Sequence, residues 1–594
     1  MNLPQFLNQV DEATQGMSKD DLTKFIHQHA RTLVECERSD FLSALKMCAG
    51  KTSGETSVKT ILQEEVKDIR EEVGQSLETL QQIYDGKFYI IGNLNEEYDD
   101  WYNSDADEFL FEDPQKVLPI VQDACGMVLR CMDRELYTEA CHLAESLLSL
   151  RIPVKGDYAE YGYDDALSLQ DLDSYDLISI DLKKWMYAVL LAAYISHRME
   201  ERPEILYSLM EQSGSGISMK ELIQEHGEAL DGLEEFLPLW IDYLGRQEEG
   251  DVEKLLVDAV SLMPCPEPVM EAAKKYAQIH PIIYEQVLKI KMGGLGDEEW
   301  YALGREAMGT ISEQYRIRGR IALLTAACAL RLGQREGAEN CWLEAFRSDT
   351  KPLQYLRMAA ECQDFSQYRE EMQKIFQSLA AKEKANAYGM GAHSRELQEN
   401  SLDGNEYYFL LFLDGQFEEV VNGAMQTKEA LGWSSTFMKQ GMALFLLYLL
   451  CEDDELGQGC HRMCESVFGM LHIGGYSYEE GFAHSAAADG FPFWEYFCKW
   501  RKQTPMEDWF QERILSELER WISVRTESIV RGQHRRQYGE CAAFIAALGE
   551  VKASRGEPGA KARIFEEYRE RYPRHRAFHE ELRSVGMTRG RSRR

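Results

Sequence analysis

The stretch IALLTAACALRLGQREGAENCWLEAFRSD, residues 321–349, decides the architecture of this chain. Ala322, Ala338 and Ala345 are small enough to let two antiparallel helices approach closely, and Gly333, following Leu332, permits the turn between them. Trp342 and Phe346 supply the bulk that fills a groove against the next unit, with Asp349 closing the pattern. A helix pair of this kind buries one seam internally and a second against a neighbour. It therefore predicts a stack of such pairs.

The offsets of Ala322, Leu332, Gly333, Ala338, Trp342, Ala345, Phe346 and Asp349 resemble a tetratricopeptide repeat. The resemblance implies an all-α fold, an α-solenoid of stacked antiparallel helix hairpins, and a building block rather than a reaction. Working outward, Gly415 with Val420 stands where Gly333 stands in its own unit, after Tyr407 to Leu413, and Tyr137, Ala140, Ala144 and Leu147 resemble the second half of a repeat. Helical periodicity fills most of the rest. Val58 to Tyr84, Val117 to Met132, Glu234 to Arg246, Asp297 to Gln314, Met506 to Val530 and Gly539 to Arg555 all carry apolar residues at helical spacing.

Four regions follow from this pattern: an N-terminal helical unit over 1–48, a helical region with an acidic aromatic loop over 58–150, a repeat body over 182–472, and a C-terminal helical unit with a basic tail over 506–594. Residues 49–57, rich in Gly, Ser, Thr and Lys, form the first linker. The segments 85–117 and 153–181 are expected to be irregular. No alternating run is long enough to predict a sheet. Cys541-Ala542-Ala543 with Glu566 to Pro573 resembles the helical tail of bacterial proteins that carry a SWIM-type zinc finger, although the finger's own Cys-x-Cys and Cys-x-His ligands have no counterpart here.

Composition narrows the function. With 65 Lys and Arg against 101 Asp and Glu, the net charge of −36 opposes nonspecific adhesion to nucleic acid or anionic lipid. The charge is unevenly spread: residues 531–594 hold 16 basic and 8 acidic side chains, net +8, leaving −44 for the remainder. Fourteen cysteines scattered singly along apolar helical stripes behave as small hydrophobes. They point to a reducing, cytoplasmic home. The first residues lack the pattern of a signal peptide, and the longest apolar run, Met442 to Cys451, spans about half a bilayer. No membrane association is expected.

Local motifs for chemistry fall short one by one. Ala49-Gly50-Lys51-Thr52 lacks the glycine and the strand that a phosphate-binding loop needs before it. Cys460 and Cys464 lie one helical turn apart, which supplies half a zinc site, with Cys451 and His472 as distant candidates for the rest. Asp171, Asp173 and Asp176 lack the central glycine and terminal glutamate of a calcium loop. Gly475-Tyr476-Ser477-Tyr478 lacks the closing glycine of a nucleophile elbow. The expectation is a non-enzymatic chain with no cofactor and no metal.

Two acidic, aromatic segments carry the functional expectation instead. Tyr98, Asp99, Asp100, Trp101, Tyr102, Asp105 and Asp107 lie in the first; Tyr161, Tyr163, Asp164 and Asp165 lie in the second. Carboxylates draw in a basic partner, and aromatic rings supply contact area at low entropic cost. These residues, with a concave face of the solenoid, are expected to bind a basic protein segment or an enzyme subunit. A second expectation is regulation of a nucleic-acid machine, through the basic C-terminal tail (Arg569, Arg571, Arg574, His575, Arg576, Arg589, Arg591, Arg593, Arg594) or through acidic mimicry of phosphate.

Overall fold

The computed structural model describes residues 24, 26, 55–94, 109–161, 165–213, 217–227, 230–248, 252–290, 295–385, 397–425, 446–453, 455–471 and 493–588. The expected unit over 1–48 thus lies outside the described residues, apart from Lys24 and Ile26. The chain divides into two compact units, Met1–Ile217 with Gln224–Gly227, and Ser218–Ile223 with Glu228–Arg594. Both are built mainly from helices that pack on their neighbours in sequence. The fold is all-α.

In the first unit the helix Val117–Asp133 pairs with Tyr137–Leu148, and both are covered by Glu55–Tyr84 and Leu182–Ser196. Ala124, Ala140, Ala144 and the cysteines 125, 131 and 141 are buried in this seam, where small side chains allow close approach. Trp185 anchors the fourth helix by donating its Nε1–H to the carbonyl of Cys125 at 3.0 Å. Ion pairs Arg130–Glu72, Arg134–Glu65 and Arg70–Glu139 hold the rim of the first helix against the other two.

A small sheet completes this unit, which corrects the expectation that 85–117 and 153–181 are irregular. Strands β1 (Ile90–Leu94), β2 (Phe109–Glu112), β3 (Ile152–Lys155) and β4 (Ala166–Leu167) lie in the order β2-β1-β3-β4. β1 and β2 run antiparallel, β1 and β3 parallel, β3 and β4 antiparallel. Each strand is at most five residues long, too short for alternation to stand out from noise. What holds them is burial of Ile90, Phe109, Ile152, Val154 and Leu167.

In the second unit, Arg316–Arg331 pairs with Arg335–Ser348 and also packs on Asp297–Thr310. Ala322, Ala338, Ala345, Trp342 and Phe346 are all buried, in the positions expected of them. The helices Asp297–Thr310 and Arg316–Arg331 cross so closely at Gly304 that a Cβ there would lie 1.9 Å from the Thr325 hydroxyl oxygen. An aromatic core runs on through Phe409, Phe412, Phe497, Trp500 and Phe510.

One turn recurs throughout. At Gly333 (φ 71°) the glycine N–H reaches the Leu330 carbonyl while Gln334 N–H reaches back to Ala329. The same paired bonds close the chain at Gly415, at Glu135 (φ 58°) and at Gln533 (φ 58°). Left-handed backbone at a helix C-terminus satisfies carbonyls that the helix leaves unpaired. Glycine adopts it without a steric penalty; Glu135 and Gln533 do not.

Candidate partner-binding site

The sheet determines where the two acidic segments go. Because β1 and β3 are parallel, with Ile90 opposite Val154 and Ile91 opposite Lys155, their C-terminal ends leave the sheet on the same side. The connection 95–108 departs from the end of β1 and returns to Phe109, which pairs with Leu94. Residues 156–165 depart from the end of β3 and return to Ala166, which pairs with Pro153. Both acidic segments are therefore rooted at one end of one sheet.

Their roots touch directly. Leu94 donates its backbone N–H to Asp157 Oδ2 at 3.1 Å. Gly156 (φ 94°) packs so tightly on β1 that a Cβ would lie 2.5 Å from Asn93 Oδ1 and 2.7 Å from the Gly92 carbonyl oxygen. Gly92 in turn lies beneath aromatic side chains: an added Cβ would meet Tyr158 Cβ at 2.8 Å and Phe111 Cε1 at 2.9 Å. Only glycine fits at either position.

The described aromatic residues at this end pack on one another. Phe109, Phe111, Tyr158 and Tyr175 form one cluster, with Phe109–Tyr158 centroids 4.9 Å apart edge to face and Phe111–Tyr175 centroids also 4.9 Å apart in a tilted pair. Phe109 and Tyr158 are buried, so they brace the loop bases rather than wait for a partner. Leu110 on the edge strand β2 is 58% exposed.

Of the expected contact residues, Tyr98, Asp99, Asp100, Trp101, Tyr102, Asp105, Asp107, Tyr163 and Asp164 lie outside the described residues. Tyr161 ends the short helix Asp157–Tyr161, and Asp165 is exposed, with its carbonyl accepting the Val154 N–H at 2.9 Å. Across 95–108 and 156–165 the sequence holds eleven Asp and Glu and no Lys or Arg. Eleven carboxylates on two segments rooted at one end of the sheet concentrate negative charge there. The pieces that sequence inspection missed are Gly92, Gly156 and Asp157, whose only signal was a glycine beside a two-residue apolar alternation.

The remaining motifs resolve into packing and capping. Asp171 forms a reciprocal cap with Ser168 at the start of the helix Leu169–Ser174. Cys451, Cys460 and Cys464 are buried. The backbone N–H groups of Gly459 and Cys460 donate to Glu550, which caps the helix Gln458–Leu471 from outside. A hydrogen bond with Cys460 brings the Cys451 thiol down to about 6 despite its burial. Among the described residues no three His, Cys, Asp or Glu side chains converge to hold a metal ion, and His472 lies outside them. Residues 49–52 and 475–478 lie outside as well.

Several tail arginines are engaged in the fold. Arg571 pairs with Glu527 and donates to Ser523, and Arg569 pairs with Glu566. Among the described residues no helix is long and apolar enough to cross a membrane. No protein-family model matches the chain, and no curated protein matches it.

Proposed function

We propose that this chain is a non-enzymatic adaptor whose two acidic, aromatic segments together grip a basic segment of a protein partner. The parallel pairing of β1 with β3, which roots both segments at one end of the sheet, is the observation that carries the reading. Convergent carboxylates accelerate encounter with a cationic chain, and Tyr98, Trp101, Tyr102, Tyr161 and Tyr163 supply contacts that slow its departure. The surrounding helices, akin to tetratricopeptide hairpins, act as the frame.

The test is affinity capture from the native cell with quantitative mass spectrometry, using the wild-type chain and the Tyr98→Ala, Trp101→Ala, Tyr102→Ala triple variant side by side. For the partner so identified, association is expected to slow steeply with salt, and Trp101→Ala to raise the dissociation rate about tenfold or more, the scale of an aromatic anchor. Equal capture by both chains defeats the proposal.

A second reading, regulation of a nucleic-acid machine through the basic tail, is favoured by the net +8 of residues 531–594. Phe578, Leu582 and Met587 of this region are fully buried, so the tail is tested by a short deletion that spares them. Removing residues 589–594 takes away four arginines without touching those core positions. Salt-dependent nucleic-acid binding that disappears with them favours this second reading.

A further inference from the structure

The last two helices, Ala560–Arg571 and Arg576–Ser584, enclose an open cavity of about 500 Å³ lined by Arg569, Glu570, Pro573, Arg576, His579, Glu580 and Arg583. Arg576, His579, Glu580 and Arg583 share one helical face at spacings of three, four and seven. Pro573 bends the chain so that Arg569 of the preceding helix meets that face. Among the described residues neither Arg576 nor Arg583 has an ion-pair partner, in contrast to Arg569 with Glu566.

The decisive member is His579. Its side chain is 7% exposed and lines the cavity, yet its Nε2 is buried with no hydrogen-bond partner among the described residues. The imidazole's bond to the Tyr572 backbone leaves that nitrogen over. A buried, unpaired polar nitrogen costs roughly 1–3 kcal/mol, so a fold retains one where something else satisfies it. Burial, with the positive charges of Arg583 and His575 nearby, holds the imidazole below the ordinary histidine value. A bound anion offsets both effects.

We infer that this cavity binds a phosphate group, free or carried as a monoester on a small molecule, held by Arg569, Arg576 and Arg583 and by the imidazolium of His579, which takes up a solvent proton at Nε2 and donates a hydrogen bond to the oxyanion. Arg569 is already engaged by Glu566, so the selection of an anion over a cation rests on Arg576 and Arg583, which have no ion-pair partner among the described residues, beside the unpartnered His579 nitrogen. Planar guanidinium forks match the oxygens of a tetrahedral oxyanion. The volume exceeds what orthophosphate needs, so a small organic group fits beside it.

The inference is independent of the adaptor reading and is tested on the full chain by isothermal titration with sodium phosphate, using sodium chloride at matched ionic strength as the control. A single saturable phosphate site is expected, weakened about tenfold or more by Arg576→Gln with Arg583→Gln, as for loss of charge-assisted hydrogen bonds. Both positions are exposed, so folding is preserved. His579→Gln, which keeps an N–H donor near the position of Nε2, is expected to retain most of the affinity that His579→Phe loses. Titration with a nucleoside monophosphate separates the sources: tighter binding assigns a monoester, equal binding free phosphate. Phosphate heats indistinguishable from chloride, unchanged affinity in the double arginine variant, or binding of an oligonucleotide without either small ligand overturns the site.

Discussion

Asp157 accepts the backbone N–H of Leu94 across 3.1 Å, joining the last residue of β1 to the first turn after β3. The bond bridges 63 positions of sequence and lies at the point where both acidic segments leave the sheet. Replacing Asp157 by Ala is expected to cost about 1 kcal/mol of stability, the size of one net hydrogen bond. A larger loss is expected in affinity for a basic partner, because the two segments then move independently. Comparing the dissociation rate with the denaturation midpoint of the same variant separates the two effects.

Gln533 adopts φ 58° in a turn where Gly333 and Gly415 sit at 71° and 75°. Its side chain is exposed, so nothing is lost in packing when it is removed. Gln533→Gly is expected to stabilise the second unit by about 0.5–1 kcal/mol, relief of left-handed strain exceeding the added entropy of the unfolded chain. Glu135→Gly is expected to do the same in the first unit. Urea denaturation followed by tryptophan fluorescence reads both.

The Gly304–Thr325 crossing predicts the opposite sign. A methyl group at position 304 would collide with a buried threonine whose hydroxyl donates to the Ile321 carbonyl at 2.7 Å. Gly304→Ala is expected to cost about 1–3 kcal/mol by forcing the helices apart. Adding Thr325→Gly should recover part of that loss, a coupling that a double-mutant cycle measures.

Glu285 is 1% exposed and accepts two bonds from Arg320, at 3.0 and 2.9 Å, with Lys289 at 2.7 Å. Burial alone would raise its carboxyl, but the bonds and charges of Arg320 and Lys289 outweigh burial and hold it below the usual range. Its contribution to stability is therefore complete above the unfolded value of about 4.3 and is lost as pH falls through the lower folded value. Arg320→Ala is expected to cost roughly 2–4 kcal/mol at pH 7 by leaving a buried carboxylate with Lys289 as its remaining cation. The gap to wild type should narrow below about pH 4, where protonation relieves the variant. Denaturation curves at three pH values check it.

The helices were legible in the sequence because their signal is local. Ala322, Ala338, Trp342, Ala345 and Phe346 each occupy a helical offset that predicts burial, and each is buried. The sheet was not legible, because its strands are short and Ile90 finds Val154 only after an intervening helix hairpin. The turns at Glu135 and Gln533 carry no sequence signal for a different reason: a residue without glycine's freedom occupies a backbone conformation dictated by its neighbours. The acidic segments stood out by composition, yet their common root is a property of strand direction, which composition does not encode.

The paired backbone bonds that close the turns at Gly333, Gly415, Glu135 and Gln533 all join residues close in sequence. Hairpins built this way form early and separately, since little chain entropy is lost in closing them. The contact between Ile90 and Val154 must wait until the intervening chain has collapsed. The acidic end of the sheet is then the last part of the first unit to mature during refolding, and pulsed hydrogen exchange should find the amides that join β1 to β3 protected after those of Val128 and Ala144.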